Sequence, residues 1–230
     1  CVLKPELFYI EDLWDAIFPI SRGTYWYLSS YVGLFVLIPF LNAGIHALSE
    51  QKMKQLLKMI LLVFSVYSTV ALGVLKGDPF GELEGYSLIW LIVMYLIGAC
   101  IKKYDWGKSL SVGKAMLGFI GMVLISWIVK LGILNFVGDT INSNLFISYI
   151  SPTIVMAAVC LFLAFQKLNI PNVFKKPIAI FSPAAFGVYL IHDSILMREF
   201  LWTKIFKNAS FTAIASFSLK QWSMMILPPL

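Results

Sequence analysis

The sequence predicts an all-α fold, a polytopic bundle of transmembrane helices, and three observations lead to that prediction. Of the 230 residues, 60% are hydrophobic and only 13% are charged, whereas a soluble domain is nearer one half apolar and one quarter charged. The apolar residues form long runs, and aromatic residues, 15% of the chain, gather near the ends of these runs as interfacial side chains do. This composition excludes a disordered chain, a coiled coil and a disulfide scaffold.

Seven apolar runs reach, or nearly reach, the roughly 20 residues that a helix needs to cross a bilayer core. Helix is the expected state of each run, because lipid offers no other partner for backbone N–H and C=O groups. The third run is short, and the seventh is the least regular because it contains Lys220. The predicted spans are 25–46, 56–75, 87–101, 115–136, 145–165, 178–201 and 211–227.

The charges of the loops between the runs indicate the topology. By the positive-inside rule, the lysine-rich loops after the first, third and fifth runs face the cytoplasm. The opposite loops are acidic, except that the loop after the sixth run is basic and does not fit this arrangement. Residues 1–22 are expected to form an extracytoplasmic, interfacial segment before a transmembrane domain at 23–230. The lysines are Lys52, Lys54 and Lys58, then Lys102, Lys103, Lys108 and Lys114, then Lys167, Lys175 and Lys176.

The net charge of +6 does not indicate a nucleic-acid partner, because membrane topology already accounts for the basic loops. The three cysteines are far apart, and two lie inside apolar runs, so we expect neither a disulfide framework nor a metal site. The two histidines, His46 and His192, are also distant from each other. No Gly-x-Ser-x-Gly elbow is present, which leaves a hydrolase of that type unsupported.

Four stretches are more specific than hydropathy. They are Phe18-Pro19-Ile20 with Tyr25-Trp26-Tyr27-Leu28 and Ile38-Pro39-Phe40-Leu41-Asn42; Gly85-Tyr86-Ser87-Leu88-Ile89-Trp90 with Tyr95-Leu96-Ile97-Gly98-Ala99; Ser151-Pro152-Thr153-Ile154-Val155; and Phe186-Gly187-Val188-Tyr189-Leu190-Ile191-His192 with Arg198, Leu201 and Trp202. In order and spacing they resemble the acyltransferase 3 family of integral membrane O-acyltransferases, in particular the bacterial branch that modifies surface polysaccharides and exopolysaccharides.

The resemblance implies transfer of an acyl group, usually acetyl, from acyl-CoA to a hydroxyl of a glycan or glycolipid acceptor. It implies the bacterial cytoplasmic membrane as the location and acyl-CoA as a donor substrate, with no bound cofactor. Family members of this type have about ten spans, so the seven predicted here would be the C-terminal part of a longer protein. The main catalytic His of the family lies in the first span, about ten residues after a basic residue. That segment is absent from this sequence, so this chain alone is expected to be inactive.

His192 is the polar residue within the predicted spans that most strongly suggests a function. It lies about 14 residues, or roughly 20 Å, into the run 178–201. Tyr189 precedes it by three residues and shares its helix face. An intramembrane His could deprotonate the acceptor hydroxyl, hold the acyl carbonyl or orient another catalytic group. We favour the orienting, supporting role; the structural alternative is an interhelical hydrogen bond that fixes packing. Arg198 could bind a phosphate or carboxylate of the acceptor, or extend its side chain to the membrane interface.

Two further features have structural as well as functional explanations. The cytoplasmic lysines, chiefly Lys102, Lys103 and Lys108 with the pair 175–176, could attract the phosphates of CoA, although topology alone explains them. Pro183, like Pro39 and Pro152, could kink its helix and open a cavity between neighbours, or it could simply occupy the first helical position after Ser182 as the cap. The composition also fits a transporter or flippase for a lipid-linked sugar or small solute, or a non-catalytic membrane scaffold.

Overall fold

The structure is a computed structural model, and it describes residues 25–192. Within this range the chain is helical and forms no strand, as predicted. It divides into two compact units, Cys1–Ile170 and Pro171–Leu230. Five principal helices of the first unit are described, and one of the second. They are α1 (Trp26–Ala47), α2 (Glu50–Leu75), α3 (Leu88–Lys103), α4 (Val112–Val137), α5 (Pro152–Gln166) and α6 (Asn172–His192).

Four of these helices, α1, α2, α4 and α6, are long and apolar enough to cross a membrane. Helices α3 and α5, with 16 and 15 residues, are apolar but shorter. The structure therefore supports a helical membrane protein but does not confirm seven spans. The seventh predicted run, 211–227, and the interfacial segment 1–22 lie outside the described residues.

Helix α2 begins six residues before the predicted span, because its first turns are amphipathic and well capped. The Ser49 side chain accepts a hydrogen bond from the Lys52 backbone N–H at 3.5 Å, which satisfies one of the free N–H groups at the helix start. Met53 and Leu57 are buried on one face, while the lysines lie on the other. Hydropathy alone excluded residues 50–55 because Glu50, Lys52 and Lys54 lower their average.

The fifth predicted run is wrong at its start. Residues 145–151 form turns, and α5 begins only at Pro152, with the Ser151 side chain accepting the Ile154 N–H at 3.4 Å. A residue that precedes proline is disfavoured in helical conformation, while proline itself suits the first helical position. The Ser-Pro pair therefore fixes the start of the helix, although the preceding residues are apolar.

Helix α6 is also longer at its start than predicted. It begins at Asn172 rather than at residue 178, so Pro177 and Pro183 both lie inside the helix. The interpretation of Pro183 as the first helical residue is therefore wrong. The helix is described as far as His192.

The first unit is assembled around α3. Helices α1 and α2 both pack against α3, and α4 packs closely against α5. Gly33 of α1 allows close approach, because a Cβ there would lie 3.0 Å from a methyl group of Leu88. Large apolar side chains cover the outside of the helices, as expected where lipid is the solvent. The most exposed of these in α1 and α4 are Phe35, Val36, Phe40, Leu117, Ile128 and Phe136.

Three segments of the spans are wound as π-helix. Helix α2 contains two of them, Leu62–Tyr67 and Ala71–Leu75, and α4 ends in the third, Ile133–Val137. Such segments are rare and occur often at functional sites. Two of the three lie at the same end of the unit, where α2 and α4 finish.

Candidate functional site

Side chains of the first two sequence motifs meet at the end of the first unit where α3 begins, next to Tyr149, which precedes the third motif. The Trp26 ring lies 4.5 Å from the Tyr86 ring, and the Tyr86 ring lies 5.2 Å from the Tyr149 ring, both in edge-to-face geometry. Each residue comes from a different part of the chain: Trp26 starts α1, Tyr86 precedes α3 and Tyr149 precedes α5. We call these three side chains the aromatic edge. Tyr86 and Tyr149 remain 36% and 50% exposed, so their rings can contact a ligand.

Gly85 explains why the second motif requires its glycine. Its φ of +105° lies in the region that favours glycine, and a Cβ at this position would be 2.6 Å from the Cβ of Tyr149. The Ser148 hydroxyl donates a hydrogen bond to the Glu84 carbonyl at 3.3 Å. The glycine thus lets the segment before α5 lie directly on the segment before α3, and this contact builds the aromatic edge.

Hydroxyl groups fix the segment before α5 to two neighbouring helices. The Ser65 hydroxyl of α2 donates to the Ile150 carbonyl at 2.5 Å. The Ser126 hydroxyl of α4 lies 2.9 Å from the Thr153 hydroxyl, which donates to the Phe146 carbonyl at 3.0 Å. Buried hydroxyl groups of this kind stabilise a structure when each finds a partner. They hold Tyr149 and its neighbours in place for the aromatic edge.

A buried acid lies in the same part of the molecule. Glu82 is fully buried, and neither of its carboxyl oxygens has a hydrogen-bond partner in the part of the chain that the structure describes. Asp78 holds the turn by accepting the backbone N–H groups of Glu82 and Leu83, at 2.9 and 2.7 Å. Burial, together with repulsion from Asp78, raises the pKa of Glu82 to about 7.

The nearby Ser68 hydroxyl acts in the opposite direction and lowers that pKa, although in the described geometry Ser68 donates to the Val63 carbonyl at 3.2 Å. Burial is the larger effect, and Glu82 can therefore exchange a proton near neutral pH. The sequence analysis treated Glu82 only as a loop charge. Hydropathy carries no signal that would have identified it as buried.

The opposite end of the unit, formed by the turn at 48–49 with the start of α2 and by the turn at 104–111, is called here the lysine-rich end. Lys103 donates to the carbonyls of Ile45 and Leu48, which terminate α1. Lys167 donates to three carbonyls, those of Gly107, Lys108 and Leu110. These two ammonium groups add charged donors to the end of α1 and to the turn after α3. Two of the carbonyls also accept other hydrogen bonds, Leu48 from the Tyr104 hydroxyl and Gly107 from the Leu110 N–H.

An aromatic and charged cluster completes the lysine-rich end. Glu50 forms an ion pair with Lys54 at 2.7 Å and accepts a hydrogen bond from the Trp106 indole N–H at 3.0 Å. The Tyr104 and Trp106 rings stack with their centroids 5.6 Å apart. This cluster joins the start of α2 to the turn after α3. Among the lysines expected to attract CoA, Lys103 is thus engaged with backbone, while Lys108 is exposed and pairs with Asp105 only at 3.5 Å.

The site residues predicted from the fourth motif belong to the second unit. Tyr189 and His192 lie three residues apart near the end of the described part of α6. The Tyr189 ring lies 6.0 Å from that of Phe186. Arg198 is outside the described residues, so its predicted contact with an acceptor stays a prediction. No cluster of three metal-binding side chains occurs within residues 25–192.

Comparison with known protein families identifies the family of this chain. A family model described as an acyltransferase domain matches residues 2–227, which is nearly the whole chain. The chain belongs to the acyltransferase 3 family. The resemblance inferred from the motifs is thereby confirmed, and membership supports a membrane acyltransferase. No curated protein and no solved structure matches the chain.

Proposed function

We propose that the protein is an O-acyltransferase that moves an acyl group, usually acetyl, from acyl-CoA to a hydroxyl of a cell-surface or exopolysaccharide glycan. The observation that carries this proposal is the family match over residues 2–227. The proposed membrane is the bacterial cytoplasmic membrane, with the lysine-rich end in the cytoplasm.

The aromatic edge supports a glycan as the acceptor. Exposed tyrosine rings offer an apolar face and a hydroxyl at the rim, a combination that suits a sugar ring with its C–H faces and hydroxyl groups. Tyr86 and Tyr149 are fixed by their contacts with Trp26 and Gly85, so they lose little freedom on binding. The aromatic edge is therefore a suitable platform for the acceptor.

The lysine-rich end supports CoA as the donor. The phosphates of CoA would be attracted by the positive charges of Lys102 and Lys108. The lysines that already bind backbone carbonyls add to this positive charge. The positive charge attracts the donor to this end of the helices. The acceptor platform lies at the other end, so the arm of acyl-CoA that carries the thioester must extend along the unit to meet the acceptor hydroxyl.

In the proposed reaction, the hydroxyl oxygen of the acceptor attacks the thioester carbonyl carbon and a C–O bond forms. The C–S bond breaks, the hydroxyl proton passes through a general base, and the CoA thiolate finally receives it. The oxyanion that forms in between needs a hydrogen-bond donor. We propose that His192 supports this chemistry by orienting the reacting groups together with Tyr189, and that Arg198 binds a phosphate or carboxylate of the acceptor.

The test is transfer of labelled acetyl from acetyl-CoA to purified glycan, in membranes that contain the full-length protein. His192→Ala should lower the rate by about tenfold or more without lowering the amount of folded protein. His46→Ala is the matched control, because His46 is the other histidine of the chain and lies exposed at the end of α1. Its rate should stay that of the parent. Absence of transfer to several glycans by a folded full-length protein would contradict the proposal.

A further inference from the structure

A cavity of about 430 Å³ lies between the ends of α2 and α4, away from the lysine-rich end. Its volume falls within the usual range for sites that bind small molecules. The lining combines the apolar residues Leu72, Leu134 and Ile141 with the polar residues Lys76, Asn142 and Ser143. The sequence analysis assigned no role to any of these residues.

Two of the three π-helical segments form walls of this cavity. Ala71–Leu75 contributes Leu72 and leads directly into Lys76, and Ile133–Val137 contributes Leu134. The Asn142 N–H donates to the Gly73 carbonyl at 3.3 Å, which fixes the third wall against α2. Since π-helical segments occur often at functional sites, their meeting at one cavity indicates a binding site.

Lys76 adopts a backbone conformation that a lysine does not favour. Its φ of 52° and ψ of 35° are left-handed, and it occupies the position after a helix where glycine is usual. A side chain in this conformation carries a steric cost that glycine would avoid. Neither of the two ion pairs found in residues 25–192 involves Lys76. The retained strain, with the ammonium in the cavity lining, indicates a function for the charge.

The polar residues of the cavity lining supply several hydrogen-bond donors. The Asn142 side-chain carbonyl accepts the Asn144 N–H at 2.9 Å, and the amide NH₂ of Asn142 supplies hydrogen-bond donors. With the Lys76 ammonium and the Ser143 hydroxyl, the lining offers three donors from three residues. Such a set matches the oxygens of a phosphate group.

The two π-helical segments that line the cavity also carry exposed apolar side chains that lipid would cover. Leu75 is 69% exposed, and Phe136 is 90% exposed; both belong to the two π-helical segments that form the walls. A ligand whose polar head lies at Lys76 could therefore place a hydrocarbon tail along these side chains. A free, fully water-soluble anion would make no use of this surface.

We propose that this cavity binds the headgroup of a phosphate-bearing amphiphile, with Lys76 contacting the phosphate and Leu72 and Leu134 contacting the start of the tail. Under the proposed function, this ligand is the phosphate-linked lipid that carries the acceptor glycan. That identification rests on the proposed function, whereas the binding itself does not.

The test uses the full-length protein purified in a neutral detergent, titrated with dodecyl phosphate and followed by calorimetry. Inorganic phosphate and dodecanol are the two comparison probes, and each should bind at least about tenfold more weakly because it lacks one half of the ligand. Lys76→Asn should weaken dodecyl phosphate binding by about tenfold or more, and Lys76→Arg should retain it. Lys130→Gln, which removes a charge near the same end of α4 without altering the lining, should bind as the parent does.

Asparagine tolerates the left-handed conformation better than lysine, so Lys76→Asn should unfold at a temperature no lower than the parent. Loss of binding in that variant then reflects the site and not the fold. Unchanged affinity of Lys76→Asn, or an equal loss in Lys130→Gln, would overturn the proposal. Inorganic phosphate that binds as tightly as dodecyl phosphate would also overturn it. Acetyl transfer is measured on the same preparations. Binding of dodecyl phosphate that depends on Lys76, without acetyl transfer, refutes the proposed function alone. Acetyl transfer without binding that depends on Lys76 refutes this inference alone.

Discussion

The two ends of the first unit differ in how they treat their polar groups. At the lysine-rich end, Lys103 and Lys167 bind backbone carbonyls, and Glu50 has two partners. At the other end, Glu82 is buried without a hydrogen-bond partner among the described residues, and Lys76 holds a left-handed backbone. The non-glycine residues with positive φ between 25 and 192 divide unevenly as well. Lys76, Leu83 and Glu84 lie at this second end and Asp105 at the first.

This difference indicates which end carries function. Satisfied hydrogen bonds and ion pairs stabilise a fold, whereas strained backbone and unpartnered buried groups persist where they serve a ligand or a reaction. At the lysine-rich end, Lys103 and Lys167 therefore hold the helices together, while the exposed Lys102 and Lys108 are the lysines proposed to attract CoA. The opposite end, with the aromatic edge, the cavity and Glu82, is the part that we expect to contact the acceptor.

The largest expected effect comes from Gly85. Gly85→Ala should lower the free energy of unfolding by about 2–4 kcal/mol for two reasons. The alanine would have to adopt a left-handed backbone, and its Cβ would clash with the Tyr149 Cβ, which cannot move away by a change of side-chain rotamer. Gly81→Ala is the matched control, since Gly81 also has a positive φ but open space around it. Its cost should be about 1 kcal/mol. Thermal unfolding in detergent compares the two, and equal costs would contradict the close contact.

A smaller effect is expected at the lysine-rich end. Lys103→Met should lower the free energy of unfolding by about 1–3 kcal/mol, because the carbonyls of Ile45 and Leu48 lose a charged donor. Lys102→Met removes the same charge one residue away and should change stability by less than about 0.5 kcal/mol. Thermal unfolding again provides the measurement. A cost for Lys102→Met as large as that for Lys103→Met would show that overall charge, and not these hydrogen bonds, stabilises this end.

The smallest expected effect concerns the pH dependence contributed by Glu82. Its folded-state pKa of about 7 lies above the ordinary value of 4.5, so the folded state binds the proton more tightly than the unfolded state. The contribution to stability is thus full below about pH 4.5 and is lost as the pH rises to about 7. Glu82→Gln should remove this fall, whereas Glu84→Gln, at an exposed neighbour, should retain it. The measurement is the melting temperature of each variant between about pH 4.5 and 7. The same pH dependence in both variants would contradict the burial of the Glu82 carboxyl group.

The sequence predicted the parts of the fold that depend on local pattern. The spans 25–46 and 115–136 agree with α1 and α4 to within three residues at each end, because long apolar runs in lipid must be helical. The start of α5 was missed because the apolar run continues through the turns at 145–151, although Ser151-Pro152 is itself a local start signal. Those turns are held by Ser65 and Ser126, which lie far away in the chain. Contacts of that kind leave no periodic signal.

The candidate site was predicted only in part, for the same reason. Gly85 and Tyr86 were selected as a motif, yet their partner Tyr149 lies more than sixty residues further along the chain. Glu82 and Lys76 resembled ordinary loop charges, because burial and backbone strain arise only when distant segments pack together. Family membership, in contrast, could be predicted from the order and spacing of the motifs and is confirmed.

The central claim is that the two ends of this unit face opposite sides of the membrane, with donor and acceptor on different sides. Cysteines introduced one at a time at Lys108 and at Thr140, both exposed and at opposite ends, allow a direct test with a membrane-impermeant maleimide applied to intact cells. The parent protein, which already contains Cys1, Cys100 and Cys160, provides the background labelling to subtract. We expect Thr140→Cys to react in intact cells and Lys108→Cys to react only after permeabilisation. Labelling of Lys108→Cys in intact cells as efficient as that of Thr140→Cys would contradict the account.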